Sequence, residues 1–160
     1  MTTPSTDALD LYRQVVLEHS RHPRHSRRPE HYDAEAEGHN PLCGDKLRVY
    51  VSLANGRLAD VSYEASACAI CLASASLMSE AVQQQTPGEG ELLISRFEQA
   101  LGTDGSSLAG DLAALGGVSR YPSRVRCATL PWKTLQAALA RLASPAGAAM
   151  PATVTSVTTE

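Results

Sequence analysis

Three short segments place cysteine in company that suggests chemistry: NPLCGD (40–45), CAICLASASLM (68–78) and RVRCATLPW (124–132). Cys43, Cys68 and Cys127 are far apart in sequence, and Asp45 stands two residues after the first of them. Three thiols and one carboxylate are enough to close a four-coordinate shell around a thiophilic metal. A thiolate in such a cluster is also a nucleophile toward sulfur. Metal binding and sulfur transfer are therefore the chemistries these residues offer together.

Each residue also has a plainer use. Cys43 lies among the turn formers Asn40, Pro41 and Gly44, so an exposed loop is expected there, and Asp45 could simply cap that turn. Cys127 could be a core cysteine in a helix. Its neighbours Arg124 and Arg126, with a nearby helix start, instead predict a lowered thiol pKa. Cys68 and Cys71 form a CxxC, which can be a redox pair or half of a zinc site. The redox reading calls for a βαβ setting, whereas a hairpin precedes this motif. Cys71, among Ala69, Ile70, Leu72 and Ala73, is expected to pack as a small hydrophobe.

The elements that must position these residues are legible in part. Ser5 or Thr6 is expected to cap a helix beginning near Asp7, with Leu9, Tyr12 and Val16 on its apolar stripe and Pro23 beyond its end. Arg21, His22, Arg24, His25, Arg27 and Arg28 then read as a solvated basic connector. A short strand is expected over 32–37. Leu47, Val49, Val51 and Leu53 alternate with polar or amphipathic residues, the period of a half-buried strand. Asn55-Gly56 is a strong hairpin signal, and 58–63 supplies the return strand. Cys43 precedes the first strand and Cys68 follows the second, so antiparallel pairing should bring both to one end of the sheet.

A helix is expected over 69–84, stopped by Thr86, Pro87 and Gly88, with further helical pieces around 92–101 and 108–115. Gly116-Gly117 should end the latter, and a last helix should start near Arg124, with Pro131 tolerable only in its first turns. The ordered domain is expected over 1–143. The low-charge stretch 144–160 reads as a disordered tail.

The chain has 160 residues, a formal net charge of −3, one Trp and one Phe. That length suits one domain built mainly on Leu, Val and Ala. The charge does not suggest nucleic-acid or membrane-surface binding. No apolar run approaches the roughly 20 residues of a membrane span, and the polar N-terminus does not read as a secretory signal. A cytoplasmic location, where thiols stay reduced, is expected.

NPLCGD, CAICLASAS and RVRCATLPW together resemble the U-type iron–sulfur assembly proteins, in particular their SufU branch. The resemblance runs from about Leu9 to Leu142. It implies an α+β fold with a small antiparallel sheet of about three strands packed against several helices. It further implies that Cys43, Asp45, Cys68 and Cys127 ligate Zn2+, and that Cys43 accepts persulfide sulfur from a SufS-like cysteine desulfurase, for delivery to a downstream assembly complex. The alternatives are a scaffold that binds iron or an Fe–S cluster on the same ligands, and a structural zinc domain that mediates contacts. Arg126, where IscU-like members carry His, and the insertion-like stretch 88–123 favour the SufU branch. The chain departs from the pattern at Ala65 and Ala67, where the family carries glycines, and at Cys71, where it carries serine. A required positive φ would strain alanine at the first two.

Overall fold

The computed structural model describes residues 4–103 and 108–142, with side chains from residue 9 onward. The expected tail therefore lies outside the described residues. The element order is α1 (Pro4–Arg21), β1 (Ala34–Asn40), β2 (Asp45–Ala54), β3 (Arg57–Ser66), α2 (Ala69–Val82), α3 (Pro87–Leu101), α4 (Asp111–Leu115), a 3-10 turn (Gly116–Arg120) and α5 (Pro122–Leu142). The strands form one antiparallel sheet in the order β1-β2-β3. The α+β architecture is thus the expected one.

The central hairpin follows from local chemistry. A two-residue turn that matches the right-handed strand twist needs positive φ at both positions, and Asn55 (φ 56°) and Gly56 (φ 76°) supply it. Alternation along β2 sends Asp45, Leu47, Val49 and Val51 to the buried side. Period two thus carries the carboxylate of Asp45 inward at the end of the sheet, where it is 2% exposed. On β1, Ala34, Ala36, Gly38 and Asn40 face the same way, and α5 packs across them. The approach is very close, since a Cβ at Gly38 would collide with Thr134 Oγ1.

Two serines of the ASAS run bind α2 to its neighbours. Trp132 Nε1 donates to Ser74 Oγ at 2.9 Å, and Ser74 donates to the Ala128 carbonyl of α5. Ser76 Oγ accepts the Arg24 N–H at 2.9 Å and meets His19 Nδ1 at 2.7 Å, joining α2 to α1 and the basic connector. Phe97 stacks on Trp132 with centroids 4.2 Å apart, which fastens α3 to the same core.

Several boundaries differ from expectation. α1 starts at Pro4, so Ser5 and Thr6 fall inside it. β1 is displaced toward the NPLCGD loop. Thr86 does not stop a helix but starts one: its hydroxyl accepts the Glu89 N–H and Glu89 accepts the Thr86 N–H, a capping box with Pro87 in the first turn. Gly116 ends α4 as expected, as its C-cap, and the chain continues directly into the 3-10 turn. Pro131 lies in the interior of α5. It has no N–H to give the Cys127 carbonyl one turn back, and it is buried in the core. The connector is largely exposed, as expected, with ion pairs along it. Arg24 pairs with Glu18 at 3.0 Å, and Arg27 with Asp60 at 2.8 Å.

Candidate metal centre

Cys43 sits in the four-residue turn joining β1 to β2. Asn40 shapes that turn: its carbonyl accepts the Gly44 N–H at 2.9 Å and its side-chain Oδ1 accepts the Leu42 N–H at 3.1 Å. Gly44 takes φ +75°, which a glycine adopts without penalty. The turn leaves Cys43 exposed as a residue and turns its Sγ inward. Cys68 follows β3, whose Ser66 pairs with Lys46 beside Asp45. The hairpin therefore brings Cys43 and Cys68 to one end of the sheet, as its topology predicts. Cys127, 2% exposed, enters from the second turn of α5.

Asp45 is the centre of the cluster. Its Oδ2 accepts from Cys43 Sγ at 2.9 Å and lies 3.5 Å from Cys68 Sγ, while its Oδ1 accepts the Cys68 backbone N–H at 2.8 Å. Cys43 Sγ and Cys127 Sγ are 3.6 Å apart. Ligand atoms of Cys43, Asp45 and Cys127 all lie within 4.8 Å of one another. A tetrahedron with zinc–sulfur bonds of about 2.3 Å has sulfur–sulfur edges of about 3.8 Å, so the spacing and the soft donors fit zinc. Cys68 Sγ accepts the Cys71 N–H at 3.5 Å as the N-cap of α2, and it borders the cluster at hydrogen-bond range of Asp45.

Burial dominates the electrostatics. It pushes the Cys43 thiol up, assisted by the Asp45 carboxylate, and pushes Cys127 well above the usual thiol range, assisted by Cys68. The lowered pKa expected for Cys127 is therefore not found. Arg124 and Arg126 lie toward the surface, and neither offsets the cost of burying a thiolate. Cys71 is fully buried, as expected, and burial likewise raises its pKa. Neither Ala65 nor Ala67 has positive φ, so the feared strain is absent.

A cavity of about 520 Å³ opens over Cys43 and Cys127, bordered by Asn40, Leu42, Arg124 and Arg126. Leu42 is 72% exposed at its rim. Sequence reasoning read Asn40 as a turn former and missed the two ASAS serines as positioning residues.

The comparisons agree with this architecture. Residues 11–144 match the family model of the NifU-like N-terminal domain. The chain is 35% identical over 134 residues to the zinc-dependent sulfurtransferase SufU of Bacillus subtilis (strain 168), spanning 82% of this chain and 90% of that one. It is 31% identical over 137 residues to the iron–sulfur cluster assembly scaffold protein IscU of Streptococcus pyogenes serotype M1, spanning 84% and 86%. The crystal structure of a nitrogen-fixing NifU-like protein (N-terminal) from Brucella abortus superposes with a TM-score of 0.75 at 25% identity, covering 84% of this chain and 95% of that one. The chain belongs to the NifU-like N-terminal domain family, the U-type proteins of iron–sulfur cluster assembly.

Proposed function

We propose that this chain accepts persulfide sulfur on Cys43 from a cysteine desulfurase and passes it on for iron–sulfur cluster assembly. Cys43, Asp45, Cys68 and Cys127 are the proposed ligands of a zinc ion. The observation that carries the reading is the 2.9 Å hydrogen bond from the Cys43 thiol to Asp45 at the floor of an open cavity. The name of the Bacillus relative supports both the metal and the transfer.

The chain's own residues account for the chemistry. Asp45 fixes the position of Cys43 Sγ, and the thiol proton is lost to solvent, as thiols lose theirs when they ligate a metal. The resulting thiolate attacks the outer sulfur of the donor's persulfide. A bond forms between Cys43 Sγ and that sulfur, the donor's sulfur–sulfur bond breaks, and the donor leaves as a thiolate. Arg124 and Arg126 at the cavity wall favour the donor's anionic leaving group. When bound, zinc keeps the thiols deprotonated and ordered. The expected cytoplasmic setting keeps them reduced.

The scaffold reading draws support from the Streptococcus relative, named as a scaffold. The same thiolates suit an Fe–S cluster. Metal analysis and an absorption spectrum of anaerobically purified protein separate the two. Stoichiometric zinc in a colourless sample is the expected result. Iron with inorganic sulfide and visible charge-transfer bands would establish the scaffold instead. Among the described residues no helix is long and apolar enough to cross a membrane.

A further inference from the structure

The wall of the cavity over Cys43 is positively charged. Arg124 and Arg126 line it, and among the described residues no acidic residue does. Asp45 lies beneath the surface, at 2% exposure. Among the described residues neither guanidinium reaches a carboxylate, whereas those of Arg24, Arg27, Arg48 and Arg57 each do. Arg124 also borders the adjoining cavity of about 460 Å³, with Tyr12 and Tyr121, and that lining likewise holds no acidic residue. Both arginines stand on a rigid element. The Arg124 N–H donates to the Tyr121 carbonyl at 2.7 Å in the first turn of α5, and Arg126 directly precedes the buried Cys127.

Two guanidiniums without carboxylate partners, in a cavity without acids, select an anion. Their planar forks of donors match a carboxylate better than a point charge would. The cavity, about 520 Å³, falls within the roughly 300–1,000 Å³ usual for small-molecule sites. Cys43 opens onto the same space, so an anion held there brings whatever it is joined to against that sulfur.

We propose that this cavity binds a small thiol bearing a carboxylate, of which cysteine is the simplest, as an acceptor of the sulfur held on Cys43. The proposal rests on the sulfur-acceptor reading of Cys43. Arg124 and Arg126 hold the carboxylate and so bring the thiol to the persulfide. The small thiolate attacks the outer sulfur of the Cys43 persulfide. A bond forms between the two, the bond from that sulfur to Cys43 Sγ breaks, and Cys43 leaves as a thiolate. The outer sulfur keeps its proton, so the product is a small persulfide that diffuses away. Charge balances, and no reductant is consumed. The two arginines are positioning residues that set which small thiols are served.

The test uses the full chain, loaded on Cys43 by a cysteine desulfurase and cysteine and then separated from both. Cysteine is added to one sample and cysteinamide, with an amide in place of the carboxylate, to another. Loss of the added sulfur from the Cys43 peptide and gain of the alkylated small persulfide are followed by mass spectrometry. Each rate is divided by that of the same thiol with glutathione persulfide, which removes the difference in thiol reactivity. Wild type is expected to favour cysteine by about ten-fold or more in this ratio. The preference is expected to vanish when Arg124→Gln and Arg126→Gln are combined, and to survive in part with Lys at both positions. A variant that the desulfurase loads poorly is loaded with inorganic polysulfide, so that transfer outward is read in every case. Equal ratios for the two thiols in wild type, or a preference unchanged by Gln, would overturn the proposal and leave the arginines to balance the charge of the thiolates. Sulfur that leaves Cys43 only to a protein thiol would overturn it as well. Failure of wild type to load Cys43 at all would overturn the acceptor reading itself, and this proposal with it.

Discussion

Asp45 holds Cys43 through one carboxylate oxygen and the backbone N–H of Cys68 through the other, at 2.9 and 2.8 Å. One buried side chain at the edge of β2 thus ties the exposed loop of the sheet to the start of α2. Asp45→Ala breaks both links, whereas Asp45→Asn keeps an acceptor for Cys68 but places an amide group where Cys43 needs one. Zinc affinity is expected to fall by about ten-fold or more in both variants, measured by competition with a chromophoric chelator. Sulfur acceptance should persist at a reduced rate. Wild-type affinity in Asp45→Ala would remove the carboxylate from the ligand set.

Cys71 separates a ligand from a neighbour. Four thiolates including Cys71 would displace Asp45 and close the shell. Cys71→Ser is expected to bind zinc as tightly as wild type, by the same competition assay. Loss of zinc in this variant, with Asp45→Ala unaffected, would identify Cys71 as the fourth ligand.

The close crossing of β1 and α5 makes Gly38 a position without room. In Gly38→Ala the new Cβ meets Thr134 Oγ1, with Leu47 Cδ2 3.1 Å and Leu130 Cδ1 3.2 Å away. A loss of about 1–3 kcal/mol is expected in urea unfolding. Ser74→Ala leaves Trp132 Nε1 and the Ala128 carbonyl without their partner, for a loss of about 1–3 kcal/mol and a shift in tryptophan emission. Wild-type urea midpoints in both would show that α5 does not need these contacts.

His19 is buried, and burial, followed by the Arg24 guanidinium, holds its pKa below the ordinary imidazole value. Glu80, Asp111 and Ser76 complete its surroundings, the last at 2.7 Å. A folded-state pKa below the unfolded value means that the unfolded chain binds the proton first. The stability contributed by neutral His19 is full above the unfolded pKa of about 6.5. It declines as pH falls from there through the folded-state value. Urea midpoints of zinc-free wild type should therefore fall between about pH 7.5 and 5, and His19→Gln should flatten that slope. Equal slopes would place the acid sensitivity elsewhere.

The sequence was most legible where one local rule decides the outcome. Alternation and Asn55-Gly56 specify the hairpin, and the hairpin alone brings Cys43 and Cys68 together. The place of Cys127 beside them was beyond any local rule, because α5 reaches the cluster only through packing on β1 and α2. Pro131 misled for a related reason. The local rule confines proline to a first turn, whereas α5 carries Pro131 in its interior, buried in the core. Thr86 carried a readable signal, since a threonine three residues before Glu89 is the capping-box spacing, yet Pro87 and Gly88 suggested a stop. The thiol pKa of Cys127 depended on burial, which neighbouring arginines in the sequence do not report.

The most direct test of sulfur acceptance at Cys43 is mass-spectrometric mapping of the persulfide after one turnover with a cysteine desulfurase and cysteine. Wild type should carry the added sulfur on the peptide containing Cys43, and Cys43→Ser should carry none while remaining folded. A persulfide formed equally well in Cys43→Ser, or located on Cys127 from the outset, would contradict the role assigned to Cys43.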